Sequence, residues 1–319
     1  MFNYLNDILS LKSDPEYYTV FNIGKSSSFY FGRDPSDNII FLIKPLDNDS
    51  NNNTNSSKGK YLDISYDLEC EFMLEDCLKR GTFTMLTLKT RSKLMRSIFV
   101  RFCEDLIELI GEKPSSQQVN KVVKGMREIF INFIRPSTKS EIGLWGELLV
   151  ISIAENKQNA IDSWHLNPSD TFDFNDGNYR LEVKTTIQNQ RIHTFSLNQV
   201  LKSLESNSLI CSIITSKIEL GKDLYDLTEM ISENLNQEYR KKLNEKILTS
   251  AGDKFEQFKN RFDYTNACRN IAFYFADEIP KIDPKSIDPR IMNVKYSVNL
   301  ENSKKADIQL IKNSCIYLP

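Results

Sequence analysis

The stretch Phe172-Asp-Phe-Asn-Asp-Gly-Asn-Tyr-Arg-Leu-Glu-Val-Lys-Thr-Thr186 decides the fold, because it joins two strand candidates through a tight-turn signal. Its centre, Asn175-Asp-Gly-Asn178, is typical of a hairpin turn. Apolar and polar residues alternate on either side of that turn, as they do in a half-buried strand. We therefore predict a β-hairpin that carries several charges.

Three ionisable side chains of the hairpin are predicted to converge. Successive side chains of a strand point to opposite faces, so Glu182 and Lys184 share a face and Asp173 approaches Glu182. Two neighbouring carboxylates repel each other unless a cation or hydrogen bonds compensate. Mg²⁺ prefers carboxylate and water ligands, and a bound metal activates water. The pattern favours a Mg²⁺ site beside Lys184, although Asp followed by Glu-x-Lys also arises by chance.

A predicted apolar helix upstream of the hairpin contains a single acid, Glu147. Thr138-Lys-Ser-Glu141 resembles a capping box, and 142–154 is then a strongly apolar helix. An ionised glutamate in a buried helix is costly without a partner. Gly143 and Gly146 leave room beside it for another backbone or a ligand. Glu147 is therefore a candidate site residue, and an exposed position on the helix edge is the alternative.

Polar residues after the hairpin are candidate substrate contacts. Arg191 and His193 share one face of the next predicted strand, where they either contact phosphates or face solvent. For His193 a structural, hydrogen-bonded role is the stronger alternative. Thr185 and Gln199 complete the candidate substrate-binding set.

The length of 319 residues suits two domains. Residues 1–137 contain aromatic and β-branched runs followed by helices at 93–110 and 116–134, which predict a mainly antiparallel β domain followed by helices. We interpret this domain as a recognition or partner-binding unit. The polar stretch 47–60 is predicted to be a flexible loop within it. Residues 138–319 form the second domain, which contains the candidate site.

The remainder of the second domain alternates between strand and helix patterns. Residues 209–214 predict a buried strand, and an apolar stripe predicts one helix over 223–248. Two late strands are predicted at 271–275 and 292–298. Together these elements predict a sheet that is covered by helices.

Composition argues against several functional classes. The net charge of −2 gives no global attraction to nucleic acid, so any DNA affinity must come from a local basic surface. Six cysteines without a Cys-x-x-Cys pair, and only two histidines, argue against a zinc site. We find neither a leader pattern nor eighteen consecutive apolar residues. We expect a reduced, cytoplasmic protein without a membrane partner.

The order of helix Glu147, strand Asp173 and strand Glu182-x-Lys184 resembles the core of the PD-(D/E)XK nuclease superfamily. More narrowly, four segments look like a bacterial family of PD-(D/E)XK motif proteins that is associated with restriction-modification or phage-defence gene sets. These segments are Gly143-Leu-Trp-Gly-Glu-Leu148, Leu181-Glu-Val-Lys-Thr-Thr186, 191–199 and the late Pro-x-Ile to Val-x-Tyr segment at 289–296. Phe172 stands where the name of the superfamily has proline, but proline is not a ligand.

The resemblance implies an α/β fold, α+β overall, with a C-terminal mixed sheet flanked by helices. It implies Mg²⁺ as cofactor, with Mn²⁺ as a substitute, held by Asp173, Glu182, Glu147 and the Val183 carbonyl. Lys184 is then the catalytic cation.

The expected function is Mg²⁺-dependent DNA endonuclease activity in restriction-modification or phage defence. DNA and other subunits of such a system are the expected partners, and a homodimer is an alternative assembly. A catalytically silent DNA-binding or assembly module of a defence complex is the alternative. A nuclease that acts on RNA or branched DNA is a third interpretation.

Overall fold

The computed structural model describes residues 4–24, 27–47, 55–132, 136–137, 139–165, 172–203 and 207–307. The chain divides into two compact units, residues 1–136 and 137–319. Half of the loop predicted at 47–60, residues 48–54, lies outside the described residues, as does Thr138 of the predicted capping box. The end of that loop is not irregular, because Ser57–Lys58 forms a short strand.

The first unit is a mainly antiparallel β-sheet followed by helices, as the sequence predicts. Its helices are α1 (Tyr4–Ser10), α2 (Lys93–Ile110) and α3 (Ser116–Asn132). Its strands are β1 (Tyr18–Asn22), β2 (Phe29–Arg33), β3 (Ile39–Ile43), β4 (Ser57–Lys58), β5 (Leu62–Leu74) and β6 (Cys77–Leu88). The strand order is β1-β2-β3-β6-β5-β4, and a parallel pairing of β1 with β5 closes five of them into a ring.

Local sequence explains both ends of α2. The Ser92 hydroxyl accepts a hydrogen bond from the Met95 N–H at the start of the helix. Gly111 follows the last residue with φ of 74°, and its N–H donates to the Ile107 carbonyl. The predicted bounds 93–110 are therefore confirmed.

The second unit is a mixed α/β structure that confirms the predicted fold class. Its helices are α4 (Glu141–Ile153), α5 (Lys157–Ser163), α6 (Leu197–Ser203), α7 (Leu224–Ser232), α8 (Gln237–Ala251) and α9 (Tyr264–Arg269). Its strands are β7 (Phe174–Asn175), β8 (Arg180–Thr186), β9 (Ile192–Ser196), β10 (Ser208–Ile214), β11 (Lys217–Lys222), β12 (Ile271–Phe275) and β13 (Lys295–Asn299). Short 3-10 turns cover Gly252–Gln257, Ala276–Glu278 and Pro284–Ser286.

The predicted hairpin is confirmed as the antiparallel pair β7–β8. Phe174 is opposite Leu181, and Gly177 takes a φ of 89° in the turn between the strands. Along its whole length β8 also pairs in parallel with β10, which pairs antiparallel with β12. The central sheet therefore has the order β12-β10-β8-β7, and β9 and β13 form a separate two-stranded ribbon.

Helix α4 packs against one face of β8, and this contact shows which side chains of the strand point toward the helix and which point away from it. Gly146 of α4 lies against the Thr185 side chain so closely that a Cβ at position 146 would overlap with it. Thr185 therefore points toward α4, and Glu182 and Lys184 point to the opposite face. Apolar residues line α4 on all sides, and Leu144, Trp145 and Leu148 are completely buried.

Three sequence-based bounds are wrong. The cap of α4 is Ser140, whose hydroxyl accepts from the Gly143 N–H, because the helix starts later than a cap at Thr138 requires. The helix predicted over 223–248 is two helices, because Asn236 caps α8 through a bond from the Tyr239 N–H. Strand β13 begins at Lys295 instead of 292.

None of the described helices combines the length and the apolar character that crossing a membrane requires.

Candidate active site

Two buried carboxylates share one ammonium group at the start of α4. Lys139 Nζ lies 2.5 Å from Glu147 Oε1 and 2.7 Å from Asp173 Oδ1. The second oxygen of each acid is held elsewhere. Trp164 Nε1 donates to Glu147 Oε2 at 2.6 Å, and the Val183 N–H donates to Asp173 Oδ2 at 2.9 Å. Each carboxylate is thus oriented so that one oxygen faces the same cation.

Local structure brings these groups together. Lys139 precedes the cap of α4, and Glu147 lies on the second turn of that helix. Asp173 lies directly before β7, and its carbonyl accepts a hydrogen bond from the His165 N–H. An isolated bridge between Trp164 and Phe174 extends the hairpin toward the end of α5. Backbone pairing therefore fixes the position of Trp164, whose indole contacts Glu147.

A second ion pair lies on β8, on the face opposite Thr185. Lys184 Nζ lies 2.7 Å from Glu182 Oε1 and 5.4 Å from the centre of the Phe195 ring. The Gln199 side chain, on α6, also hydrogen-bonds Glu182. The structure therefore brings Gln199 to Glu182, whereas its predicted contact with substrate stays a prediction, and it places Thr185 on the opposite face of β8.

Burial and mutual repulsion change the protonation of the first pair of acids. Burial raises the pKa of Glu147 well above its usual value, and the Asp173 charge adds to this, against the opposing effect of Lys139. Burial also acts to raise the pKa of Asp173, but Lys139 and the Val183 N–H outweigh it and the net pKa is lowered. Burial alone lowers the pKa of Lys139, whereas the two carboxylates raise it overall. Lys139 is therefore a permanent cation at neutral pH.

Glu182 is the acid whose protonation changes near neutral pH. Burial, followed by the Asp173 charge, raises its pKa to about 7, while Lys184 and Gln199 oppose the shift. This carboxyl group is 7% exposed and binds a proton more readily than a surface glutamate does. It therefore holds negative charge only when a nearby cation supports it.

Arg191 and His193 have interior hydrogen-bond partners. Arg191 Nη1 donates to the carbonyl oxygen and the hydroxyl of Ser212, and its Nη2 donates to the Asn270 carbonyl. His193 Nε2 lies 2.7 Å from Ser212 Oγ. Both side chains are buried, and they contact Ser212 of β10 from β9 in the case of His193 and from the position directly before β9 in the case of Arg191. A contact of either residue with substrate stays a prediction.

The burial of His193 gives a testable pH dependence of stability. Burial, followed by the charges of Lys184 and Arg191, lowers its pKa from 6.5 to about 4. Between these values the unfolded chain binds a proton that the folded chain does not, so stability falls as the pH falls. We expect His193→Gln to remove about 2 kcal/mol of the loss in unfolding free energy between pH 7 and pH 5. Urea denaturation at both pH values measures this.

Glu182 contributes with the opposite sign, because its raised pKa favours the folded state as the pH falls toward its unfolded value. For this reason the informative quantity is the difference between wild type and His193→Gln at each pH. Equal pH dependence of unfolding in the two proteins contradicts the assignment of a buried neutral histidine.

The chemistry of these side chains fits a divalent ion at Glu147 and Asp173. Carboxylate oxygens are the ligands that Mg²⁺ prefers, and the two acids already direct one oxygen each at a cation. That cation is the ammonium of Lys139. Across the described ranges, no group of three or more His, Cys, Asp or Glu side chains is arranged to hold a metal ion. Glu182 is not gathered with the other two acids, because it is paired with Lys184.

Sequence reasoning missed two residues of this cluster, Lys139 and Trp164. In the sequence Lys139 is only part of a capping-box pattern, and Trp164 is not among the candidate site residues. Both contact Glu147 across gaps of 8 and 17 residues that no local periodicity encodes. The one signal available was an acid in a fully apolar helix, which requires a partner from outside that helix.

The mixed sheet, the buried acid of α4 and the Asp173 to Lys184 hairpin define a protein with a PD-(D/E)XK nuclease-like fold. The chain belongs to the family described as "Putative PD-(D/E)XK family member (DUF4420)", whose model matches residues 8–301. That match spans both units. Neither a curated protein nor a solved structure matched the chain significantly. Nucleases of the PD-(D/E)XK class generally use divalent metal ions.

Proposed function

We propose that this protein is a Mg²⁺-dependent endonuclease that hydrolyses DNA phosphodiester bonds in a restriction-modification or phage-defence system. The observation that carries the proposal is the shared orientation of Glu147 and Asp173 toward one cation, beside the Glu182–Lys184 pair. The ion-paired acids Glu147, Asp173 and Glu182 are expensive to desolvate and are not an efficient source of stability. Strongly shifted pKa values in such a cluster are typical of functional sites.

Each residue of the cluster has a proposed task. Glu147 and Asp173 would hold the ion, and Glu182 and the Val183 carbonyl are the further proposed ligands. A bound divalent ion stabilises negative charge on a phosphoryl group and lowers the pKa of water. If Glu182 served as a ligand, the ammonium of Lys184 would be available to orient water or to neutralise a phosphate oxygen.

Two neighbouring side chains position the acids. The Trp164 indole holds Glu147 Oε2, and the Gln199 side chain holds Glu182. Both restrict the rotamers of the carboxylates, which is how outer hydrogen bonds orient metal ligands. We propose that these residues act through the acids and do not touch the DNA.

The proposed setting and partners rest on the resemblance of the motif segments. DNA is the proposed substrate, other subunits of a restriction or defence system are proposed partners, and the cytoplasm is the proposed compartment. A recognition role for the first unit agrees with its cavity of about 310 Å³. Lys58, Lys60 and Arg127 line this cavity together with Tyr61 and Phe130, and none of its lining residues is acidic. Such a surface suits a phosphate-bearing partner.

One observation favours the second candidate function, a catalytically silent DNA-binding or assembly module. The chain's own ammonium from Lys139 stands where a metal ion is needed. Because Lys139 neutralises the carboxylates, the protein does not need a metal ion to keep these acids in its folded state. The silent module therefore predicts a protein that binds neither Mg²⁺ nor Mn²⁺ at Asp173.

Incubation of the protein with supercoiled plasmid separates the two functions. Methylated and unmethylated plasmid, single-stranded RNA and branched DNA are each treated with Mg²⁺, Mn²⁺ or EDTA. Nicked or linear plasmid that appears with Mg²⁺ or Mn²⁺, and not with EDTA, is the expected result. Calorimetric titration with Mn²⁺ is the companion measurement. The absence of both metal binding and cleavage overturns the nuclease proposal and supports the silent module.

A further inference from the structure

We propose that Lys139 is an internal counter-cation that a divalent metal ion must displace in order to bind between Glu147 and Asp173. The inference rests on the proposed function, because it concerns the same site. It adds a regulatory step to that function. The site has a metal-free state that is closed by the protein itself and a metal-bound state in which the ammonium has moved away.

The contacts of Lys139 support a displaceable cation. Its Nζ contacts one oxygen of Glu147 and one of Asp173, while their other oxygens remain bound to Trp164 and Val183. Removal of the ammonium therefore frees one oriented oxygen on each acid and leaves both acids in place. A lysine that merely neutralised surface charge would not join two acids that are separately held in position.

The position of Lys139 in the chain allows its side chain to move without the backbone. The residue lies before α4, where the Ser137 hydroxyl donates to its carbonyl at 2.7 Å. Its side chain is 18% exposed, whereas that of Glu147 is only 4% exposed. The ammonium therefore has a path to water, and the flexible four-carbon stem of lysine permits rotation toward it.

Electrostatics explains why the position must always contain a cation. Two carboxylates that are close together and buried repel each other, and an unpaired buried charge strongly destabilises a fold. Lys139 supplies one positive charge when no metal is present, and a divalent ion supplies two. Metal binding must compete with the ammonium. The apparent association constant for metal is therefore the intrinsic constant multiplied by the fraction of molecules in which Lys139 has left the site.

Lys184 differs from Lys139 in its contacts. It pairs with one acid, Glu182, and its Nζ also lies over the Phe195 ring. It does not bridge the two oriented oxygens. Displacement of Lys139 therefore leaves Lys184 in the site, and the two lysines are separable by substitution.

Mn²⁺ affinity tests the inference without any assay of activity. Titration calorimetry compares wild type, Lys139→Met and the control Lys222→Met, whose ammonium lies 5.8 Å from the centre of the Tyr264 ring and outside the site. We expect Lys139→Met to bind Mn²⁺ about tenfold more tightly than wild type, because no ammonium competes. We expect the control to bind like wild type. Equal or weaker binding by Lys139→Met overturns the inference.

A measurement on the wild-type protein covers the case in which Lys139→Met does not fold. Amine acetylation followed by mass spectrometry reports how accessible each lysine is with and without Mg²⁺. We expect labelling of Lys139 to increase several-fold with Mg²⁺, because its Nζ is released to water, and labelling of Lys222 to stay constant. Unchanged or reduced labelling of Lys139 under conditions where Mg²⁺ binds overturns the inference.

The outcomes separate this inference from the proposed function. Mn²⁺ binding that depends on Asp173 in wild type, without a gain in Lys139→Met, overturns the displacement and leaves the nuclease proposal intact. No Mn²⁺ binding by wild type or by either lysine variant overturns both.

Discussion

Lys184→Met is expected to lower the rate of Mg²⁺-dependent plasmid cleavage by about a thousandfold. Methionine keeps the length of the side chain and its packing over Phe195, and it removes only the ammonium. The proposed role of that ammonium is to orient water or to neutralise charge that develops on the phosphate. Single-turnover cleavage at saturating Mg²⁺ measures the loss, and circular dichroism and urea denaturation show whether the fold is kept.

Saturating metal is necessary in this experiment, because Lys184 also supports the charge of Glu182. Without the ammonium, the pKa of Glu182 rises further and metal binding weakens. Lys222→Met is the matched control, because it also removes an ammonium that lies over an aromatic ring of the second unit. Lys222 Nζ is 5.8 Å from the centre of the Tyr264 ring. A rate for Lys184→Met within tenfold of the wild-type rate contradicts the catalytic role.

Asp173→Asn is expected to abolish both Mn²⁺ binding and cleavage at ordinary metal concentrations. Asparagine has the same shape as aspartate, and its amide oxygen still accepts the Val183 N–H that Asp173 Oδ2 accepts at 2.9 Å. The oxygen that faces Lys139 becomes an amide nitrogen, which repels a cation. We expect metal affinity to fall by more than about a hundredfold, since this change removes a proposed ligand and not merely its support.

The loss of the Asp173 charge in Asp173→Asn also changes the pKa of the neighbouring acids, which a substitution far from the site would not do. The Asp173 charge helps to raise the pKa of both Glu147 and Glu182, so its removal should lower both values toward that of an ordinary glutamate. Asp162→Asn is the matched control, since Asp162 is also ion-paired, with Lys242, outside the cluster. Calorimetry and the plasmid assay apply to both variants. Wild-type Mn²⁺ affinity in Asp173→Asn contradicts the metal site.

Local signals were sufficient to predict the framework of the site from sequence. The Asn-Asp-Gly-Asn turn fixes the β7–β8 hairpin, because Gly177 takes a positive φ that most residues avoid. The period of two along β8 then places Glu182 and Lys184 on one face. The apolar pattern of α4 similarly identifies Glu147 as a buried acid. These features depend only on neighbours in the chain.

Contacts between distant residues were not predictable in the same way. Lys139 and Trp164 reach Glu147 only after α4, α5 and the hairpin have packed together. The side chains of Arg191 and His193 contact Ser212 of β10, which belongs to a different sheet from β9, and the period-two rule does not specify such a contact. The break between α7 and α8 was also missed, because the apolar stripe continues through it while Asn236 caps the second helix.

The parallel pairing of β8 with β10 has a consequence for synthesis on the ribosome. All side chains of the site, from Lys139 to Gln199, emerge before residues 208–214, which form the strand paired with β8 along its full length. A nascent chain therefore carries the complete set of ionisable groups before it can hold them in place. We therefore expect a product that is truncated before residue 208 to contain the motif without the arrangement.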